Sequence, residues 1–103
     1  MGKFKPIRPF FKMHRKNGHP SYIYAENEEE YKYIGITHAS TTHGLENKRL
    51  RYNPNSLDSK PSHARSFSTH DLKDNFRKSV KKGFKLHKAD KGTIRRIKKN
   101  YKK

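Results

Sequence analysis

The distribution of charge constrains this sequence more than any other feature does. The chain of 103 residues carries 26 Lys and Arg against nine Asp and Glu, a formal net charge of +17 at pH 7. Residues 1–25 have six basic and no acidic residues. Residues 26–59 have four basic and six acidic residues, and residues 60–103 have sixteen basic and three acidic residues. Because like charges repel one another in a compact state, we expect a near-neutral centre with basic segments on its surface.

A positive excess of this size favours a polyanionic partner. Nucleic acid fits because phosphate contacts release counterions and supply most of the non-specific affinity. The alternatives are an anionic membrane surface, which requires an amphipathic helix with a bulky apolar face, and a merely solvating basic surface. Disordered basic tails are poor in aromatic residues, whereas this chain has six Tyr and six Phe. We therefore expect a folded nucleic-acid-binding protein, with RNA favoured over DNA and no membrane partner.

Several classes of protein are excluded or disfavoured by what the sequence lacks. There is no Cys, which rules out a disulfide framework and a thiolate metal site, so a cytoplasmic location is the default expectation. No apolar run approaches the roughly 20 residues of a membrane span, and no signal-peptide pattern is visible. Without an HExxH motif or a Gly-rich phosphate loop, we expect neither a metal nor another cofactor. The length predicts a single domain over residues 1–103.

The clearest local pattern predicts a β-hairpin at about residues 21–38. Residues 21–25 and 31–38 are rich in Tyr, Ile and Thr, and a five-residue polar turn at 26–30 separates them. By alternation, Ile34, Ile36 and His38 share one strand face. Gly35 within the second strand indicates a bulge or a close backbone approach. Residues 39–61 read as a long loop and residues 62–67 as a third strand.

The two ends of the chain receive different predictions. Residues 1–20 contain three Pro and read as irregular, although an extended edge segment is an alternative. In the C-terminal part, Leu72, Phe76 and Val80 are four residues apart and predict a helix that is capped by Ser68 or Thr69 and ends near Gly83. A second helix begins near Ala89, and a frayed basic C-terminus follows. The fold class is therefore α+β, a small antiparallel sheet with two basic C-terminal helices.

Histidine supplies the residues that could carry out catalysis. Cleavage of RNA without a metal requires a base, an acid and a cation that steadies the charged phosphate, and histidine titrates in the required range. His63 and Arg65 share a strand face, and His38 would join them if the second and third strands are neighbours. We assign acid–base work to His38 and His63, the phosphate clamp to Arg65 and base stacking to Tyr33. His43 follows His38 after one loop turn and is a further catalytic candidate. The alternative is that these are ordinary polar surface residues.

Two further sets of residues are predicted to contact nucleic acid. The tyrosines of the hairpin either stack on bases or build the core through cross-strand pairs. The basic residues predicted to hold the phosphate backbone are Arg49, Arg51, Lys81, Lys82, Arg95, Arg96, Lys98 and Lys99.

Part of the hairpin resembles the paired-strand signature of GIY-YIG nucleases. The matching residues are Tyr22-Ile23-Tyr24 followed by Tyr33-Ile34-Gly35-Ile36-Thr37. The resemblance implies that Tyr24 and Tyr33 are catalytic and that Arg49 or Arg51 is the following arginine. The sequence departs from the pattern because Tyr22 replaces a glycine, the connection is short, and no Glu follows Glu46 to bind the metal.

The build of the chain is also similar to small basic ribonuclease toxins of toxin–antitoxin modules, of the RelE-like or PemK/MazF-like kind. That resemblance implies a metal-independent endoribonuclease that cuts mRNA and an acidic antitoxin as protein partner. It rests on size, charge, a small sheet, basic helices and a strand that ends in Ile36-Thr37-His38, so no catalytic residue transfers from it. The alternative function is a non-catalytic accessory protein, ribosome-associated or encoded by a phage or mobile element, including an inhibitor of a nucleic-acid-binding enzyme.

Overall fold

An antiparallel sheet organises the computed structural model, which describes residues 2–102. The strands and the helix are β1 Lys5–His14, β2 Pro20–Glu26, β3 Glu30–Thr37, β4 Thr41–Thr42, β5 Leu45–Glu46, β6 Lys48–Arg49, β7 His63–Ala64, β8 Thr69–Leu72, β9 Phe76–Val80 and α1 Lys91–Lys98. The sheet order is β6-β7-β3-β2-β1-β9, β8 pairs with the same edge of β3 as β7, and β4–β5 is a separate ribbon. The fold class α+β is as expected.

The predicted hairpin is confirmed. Strands β2 and β3 pair with Tyr22 opposite Ile34, and Ile34 and Ile36 are buried as the alternation requires. The turn between the strands has three residues rather than five. Its geometry depends on Asn27, whose Oδ1 accepts hydrogen bonds from the backbone N–H groups of Glu29 and Glu30, a side-chain-to-backbone pattern that is common in turns.

The sheet buries side chains on both faces. The face towards α1 carries the main core, which consists of Phe11, Tyr22, Ile34, Ile36, Leu50, Ala64, Ile94 and Ile97. On the opposite face, the ring of Phe76 packs edge-on against His14 and Tyr33, with centroids 4.9 and 5.0 Å away. Ile23 lies opposite Tyr33 in the β2–β3 register and is fully buried. Covering both faces explains how a chain with 29% hydrophobic residues obtains a core.

Gly35 permits the close approach that its position in the strand predicted. A Cβ at residue 35 would lie 3.2 Å from Cγ of Arg65. The backbone N–H of Arg65 donates to the Gly35 carbonyl at 2.9 Å. The missing side chain therefore lets the segment after β7 pack directly on β3.

The prediction of a helix over residues 68–83 is wrong. Strand β8, a 3₁₀ turn at Lys73–Asn75 and strand β9 occupy this segment. The spacing of Leu72, Phe76 and Val80 did not distinguish a helix from a strand, because residues four apart share a face in both structures. Phe76 is 2% exposed, whereas Leu72 and Val80 are 49% and 39% exposed, so no helical stripe exists.

Residues 1–20 also differ from the prediction of an irregular segment, because ten of them form β1. The register between β1 and β2 shifts between Pro6 and Phe10. Because proline has no N–H to donate to the hydrogen-bond ladder, it is tolerated within a strand mainly at such an irregularity. Pro6 and Pro9 therefore marked an interrupted strand rather than a loop, and Pro20 is the first residue of β2.

The second predicted helix is confirmed as α1, with Ile94 and Ile97 buried. The segment after it is not frayed as far as the structure describes it. Ser68 accepts a backbone hydrogen bond from Lys102 at 2.8 Å and donates one to Asn100 at 3.1 Å. Tyr101 lies outside the helix and forms a parallel bridge with Ser68. Among residues 2–102, no helix has the length and apolar character needed to cross a membrane.

Candidate nucleic-acid interface

A groove of about 760 Å³ lies between β1, the end of β9, the following loop and α1. Within the described residues 2–102 its lining contains seven basic side chains and no acidic one: Arg8, Lys81, Lys82, Lys85, Lys91, Arg95 and Lys98. Its remaining lining is apolar and consists of Pro9, Phe10, Phe11, Tyr22, Val80, Phe84, Leu86 and Ile94. We call this feature the basic groove.

Local hydrogen bonding and helix periodicity place these cations together. The N–H of Lys81 donates to the Phe11 carbonyl at 2.7 Å, which holds the end of β9 against β1. The chain then turns, with Phe84 N–H donating to the Lys81 carbonyl at 3.0 Å. On α1, Lys91, Arg95 and Lys98 are spaced i, i+4 and i+7, so they project along one face of the helix.

The positive charge of the basic groove is not neutralised by neighbouring carboxylates. Four ion pairs occur in the part of the chain that the structure describes, and none includes a groove residue. The Lys98 ammonium lies 4.7 Å from the ring centroid of Tyr24, and its pKa is lowered by burial and by the adjacent Arg95. Unpaired cations in a concave surface concentrate a positive potential that attracts polyanions.

The predicted phosphate-binding residues separate into four places. Lys81, Lys82, Arg95 and Lys98 line the basic groove. Arg49 and Arg96 line a different cleft beside His63, Arg51 lines a pocket in the loop after β6, and Lys99 is exposed outside the groove. Sequence reasoning missed Arg8, Lys85 and Lys91, although the spacing of Lys91 to Arg95 was a signal for the last.

A second concave site lies where β3 ends. This pocket of about 290 Å³, which we call the His38 pocket, is lined by His38, His19 and Asp58 among others. Nε2 of His38 lies 2.5 Å from Oδ2 of Asp58. The hydrogen bond from His38, and then the one from the Lys60 N–H, lower the pKa of Asp58. Phe84 lines both this pocket and the basic groove. His19 and Asp58 were not predicted, because only the fold brings them to His38.

The predicted convergence of His38, His63 and Arg65 is wrong. In the β3–β7 pair, Thr37 lies directly opposite His63, so these two residues share a face and His38 falls on the other. His63 lines a separate cleft of about 750 Å³, and its buried Nδ1 has no hydrogen-bond partner among the described residues. Arg65 packs its guanidinium over the Phe67 ring at 5.0 Å. Strand β7 ends at Ala64, so Arg65 lies just beyond the strand that carries His63 and does not line the His63 cleft.

The hairpin tyrosines contribute to the core. Burial raises the pKa of Tyr22, Tyr24 and Tyr33. For Tyr33, Asp71 adds to the increase and Arg65 opposes it. Tyr24 packs beside the core on the α1 side, whereas Tyr33 packs on Phe76 across the sheet. The two tyrosines that the GIY-YIG resemblance implies as catalytic therefore lie on opposite faces.

His43 lies in a tight turn between β4 and β5. Its φ of 50° and that of 78° at Gly44 are typical of a two-residue hairpin turn with positive φ at both positions. His43 is exposed and does not line the His38 pocket. Its position is thus explained by the turn.

Comparison with known proteins gave no match. No family model matches the sequence, and no curated protein and no solved structure is significantly similar to it. In residues 2–102, no group of three or more His, Asp or Glu side chains is arranged to hold a metal ion.

Proposed function

We propose that this protein binds single-stranded nucleic acid in the basic groove, with RNA favoured over DNA. The observation that carries the proposal is the set of seven cations lining one groove with no carboxylate among them. Phosphates would contact these cations and release their counterions. Phe10 and Phe84 are half-buried in the same groove and offer apolar surface to the bases, a combination that single-strand binders use.

A titration of fluorescein-labelled 12-mers by anisotropy tests this proposal. Single-stranded RNA, single-stranded DNA of the same sequence and duplex DNA are compared at one salt concentration, since the 2′-hydroxyl distinguishes the first two. We expect the double variant Lys91→Ala/Arg95→Ala to weaken RNA binding by roughly tenfold. The matched control Lys99→Ala/Lys102→Ala removes the same charge outside the groove and should weaken it by less than about threefold. Equal losses in the two variants would overturn the assignment of the groove.

The same cations would hold an acidic protein segment, and an acidic antitoxin is the partner that the toxin-like build implies. Adding polyglutamate to the titration separates the two ligands. If nucleic acid is the ligand, RNA should displace labelled polyglutamate at a much lower concentration than polyglutamate needs to displace labelled RNA. If the protein binds polyglutamate and no oligonucleotide, the groove is a protein-docking surface and the nucleic-acid proposal fails.

A second function, metal-independent cleavage of RNA, is favoured by the His38 pocket. Two imidazoles, from His19 and His38, line this pocket, and Asp58 orients the second of them. The backbone of His19 is fixed by hydrogen bonds, since its carbonyl accepts from the His14 N–H and its own N–H donates to Asn17. Because Phe84 lines both sites, a strand in the basic groove would continue into this pocket.

The cleavage that we propose is an intramolecular transesterification. His38 takes the proton of the ribose 2′-hydroxyl, and Asp58 stabilises the imidazolium that forms. The 2′-oxygen bonds to phosphorus, the bond from phosphorus to the 5′-oxygen breaks, and protonated His19 gives its proton to that leaving oxygen. The products are a 2′,3′-cyclic phosphate and a 5′-hydroxyl end, so the atoms balance without water or a metal.

End-labelled RNA incubated with the protein in excess chelator tests this second function. We expect the wild type to cleave the RNA. The cleavage rate should fall by at least 100-fold in His38→Ala and in His19→Ala, because each variant removes one proton-transfer group. His43→Ala replaces an exposed histidine outside the pocket and should cleave normally. RNA that is bound but remains intact would overturn this function and leave the non-catalytic accessory protein.

A further inference from the structure

A stacked aromatic pair lies outside both sites described above. The ring centroids of Tyr52 and His87 are 3.9 Å apart, with 28° between the ring planes. Tyr52 remains 53% exposed despite this contact, and His87 is exposed as well. We call the pair the Tyr52–His87 platform. An exposed tyrosine that is held flat against another ring presents a fixed aromatic surface to solvent, which single-strand binders use for bases.

Hydrogen bonds hold both sides of the platform in place. The carboxylate of Asp90, which is 1% exposed, accepts the backbone N–H of Arg51 at 2.8 Å and that of Tyr52 at 3.2 Å. On the other side, Nδ1 of His87 accepts the N–H of Ala89 at 3.0 Å. The neutral ring then carries its proton on Nε2, where it can donate to a ligand. A site whose rings are ordered in advance loses less entropy on binding.

The surroundings of the platform connect it to the other two sites. It lies in a pocket of about 660 Å³ whose lining includes Arg49, Arg51 and Lys85. Lys85 also lines the basic groove, and Asp58 also lines the His38 pocket. The N–H of Lys85 donates to the Pro54 carbonyl at 2.9 Å, which ties the groove loop to the loop that carries Tyr52 and Asp58. The pocket of the platform therefore adjoins both the groove and the His38 pocket.

We infer that the Tyr52–His87 platform is a nucleobase subsite, in which an unpaired base of a bound strand stacks on Tyr52. The flanking phosphates would contact Arg51 on one side and Lys85 on the other. This inference rests on the proposed binding of single-stranded nucleic acid and assigns to it a contact that does not depend on charge. Stacking tolerates any base, since every base has a π-face, so the subsite would recognise single strands without reading sequence.

The test compares two single-stranded 12-mers that have the same number of phosphates. One is intact, and in the other the four central nucleotides carry no base. We expect the wild type to bind the intact strand at least about tenfold more tightly, because stacking of one base is worth roughly this factor. Tyr52→Ala should reduce the preference by about tenfold, to what the groove side chains Phe10 and Phe84 supply, and leave the salt dependence unchanged. Tyr52→Phe keeps the ring and should retain the preference.

The outcomes separate this inference from the proposed function. Lys81→Glu/Lys82→Glu should weaken both strands alike and keep the preference for the intact one. If the wild type binds neither strand, the proposed function fails and this inference fails with it. If the wild type binds both strands equally, or if Tyr52→Ala keeps the full preference, the groove assignment stands and the base subsite is overturned. The wild-type comparison requires no variant, so it does not depend on how Tyr52→Ala folds.

Discussion

The basic groove and the end of the β2–β3 hairpin are concave surfaces of similar size with opposite electrostatic character. The groove encloses about 760 Å³ and the hairpin end about 830 Å³. Among residues 2–102, the hairpin end is lined by three lysines and four glutamates: Lys3, Lys5, Lys73, Glu26, Glu28, Glu29 and Glu30. The ammonium of Lys73 lies 3.3 Å from a carboxylate oxygen of Glu26, whereas no groove cation has such a partner in the described chain.

This difference shows that the net charge of the chain does not locate its interface. Both surfaces are rich in lysine, but carboxylates at the hairpin end cancel the local potential. At the groove the cations add, so a polyanion gains from every contact. The decisive quantity is the local excess of positive charge, which depends on how the fold brings together Arg8 and the segments 81–85 and 91–98.

Reversing charges on the two surfaces should give the largest difference. We expect Lys81→Glu/Lys82→Glu to weaken binding of single-stranded RNA by about 100-fold, because two phosphate contacts become repulsive. Lys3→Glu/Lys5→Glu makes the same change of charge at the hairpin end and should cost less than about threefold. Anisotropy titrations at equal salt measure both. A matching loss in the two variants would mean that only total charge matters.

Both surfaces belong to one folded unit, and a substitution at Asp71 should change the stability of that unit without changing RNA binding. Its Oδ2 lies 2.8 Å from Nε2 of the buried His14, which joins β8 to β1. Burial works against the charged carboxylate, but hydrogen bonds from His14, Asn75 and the Leu72 N–H outweigh it and lower the pKa of Asp71. We expect Asp71→Ala to lower the free energy of unfolding by about 2 kcal/mol at pH 7, because it leaves a buried N–H unpaired.

The sign of the pH dependence follows from the lowered pKa. The unfolded carboxyl titrates near 3.8, so its contribution to stability is present above that pH and is lost as pH falls through the lower folded value. The difference between wild type and Asp71→Ala should therefore shrink in urea titrations as pH falls below 3.8. A difference that stays constant from pH 7 to that region would contradict the charged hydrogen bond. RNA affinity at pH 7 should change by less than twofold.

Neutral substitutions give a smaller and more specific effect. In Lys81→Gln/Lys82→Gln, the slope of log K against log salt concentration should decrease by about 1.4, since each single-strand phosphate contact contributes roughly 0.7. Lys3→Gln/Lys5→Gln should leave the slope unchanged. An unchanged slope in the groove variant would show that these lysines do not contact phosphate.

The smallest effect should come from removing carboxylates at the hairpin end. Glu28→Gln/Glu29→Gln changes two exposed residues and raises the local charge by two. We expect RNA affinity to increase by less than about threefold, because the surface gains charge without gaining the apolar floor of the groove. An increase of tenfold or more would show that the hairpin end is an interface that its glutamates suppress.

The sequence predicted the elements whose pattern is local. The hairpin of β2 and β3 followed from alternating Tyr and Ile around a glutamate-rich turn, and α1 followed from Ile94 and Ile97. The helix over 68–83 failed because Leu72, Phe76 and Val80 fit both a helix and a strand, and pairing with β3 and β1 decided between them. Strand β1 was predicted only as an alternative, an extended edge segment, because its prolines suggested a loop.

The candidate site was only partly predictable, since it depends on contacts between distant segments. Lysines 81 and 82 and the cations of α1 stood out as basic runs, but their meeting with Arg8 requires the β1–β9 pair. His38 was identified from its place at a strand end, whereas its partner Asp58 is twenty residues away in a loop without a motif. His63 was joined to His38 on the condition that the second and third strands are neighbours; β3 and β7 do pair, but their register places Thr37 rather than His38 opposite His63.

Mapping the bound strand on the ¹⁵N-labelled protein by amide chemical shifts is the most direct test of the central claim, that the basic groove is the nucleic-acid interface. A single-stranded RNA 12-mer is titrated at 150 mM salt, where weak surface contacts are largely screened. The account predicts shifts concentrated at residues 8–11, 81–86 and 91–98, with little change at 26–30. Shifts centred on the hairpin end or on the cleft beside His63, or spread evenly over all lysine-rich segments, would contradict it.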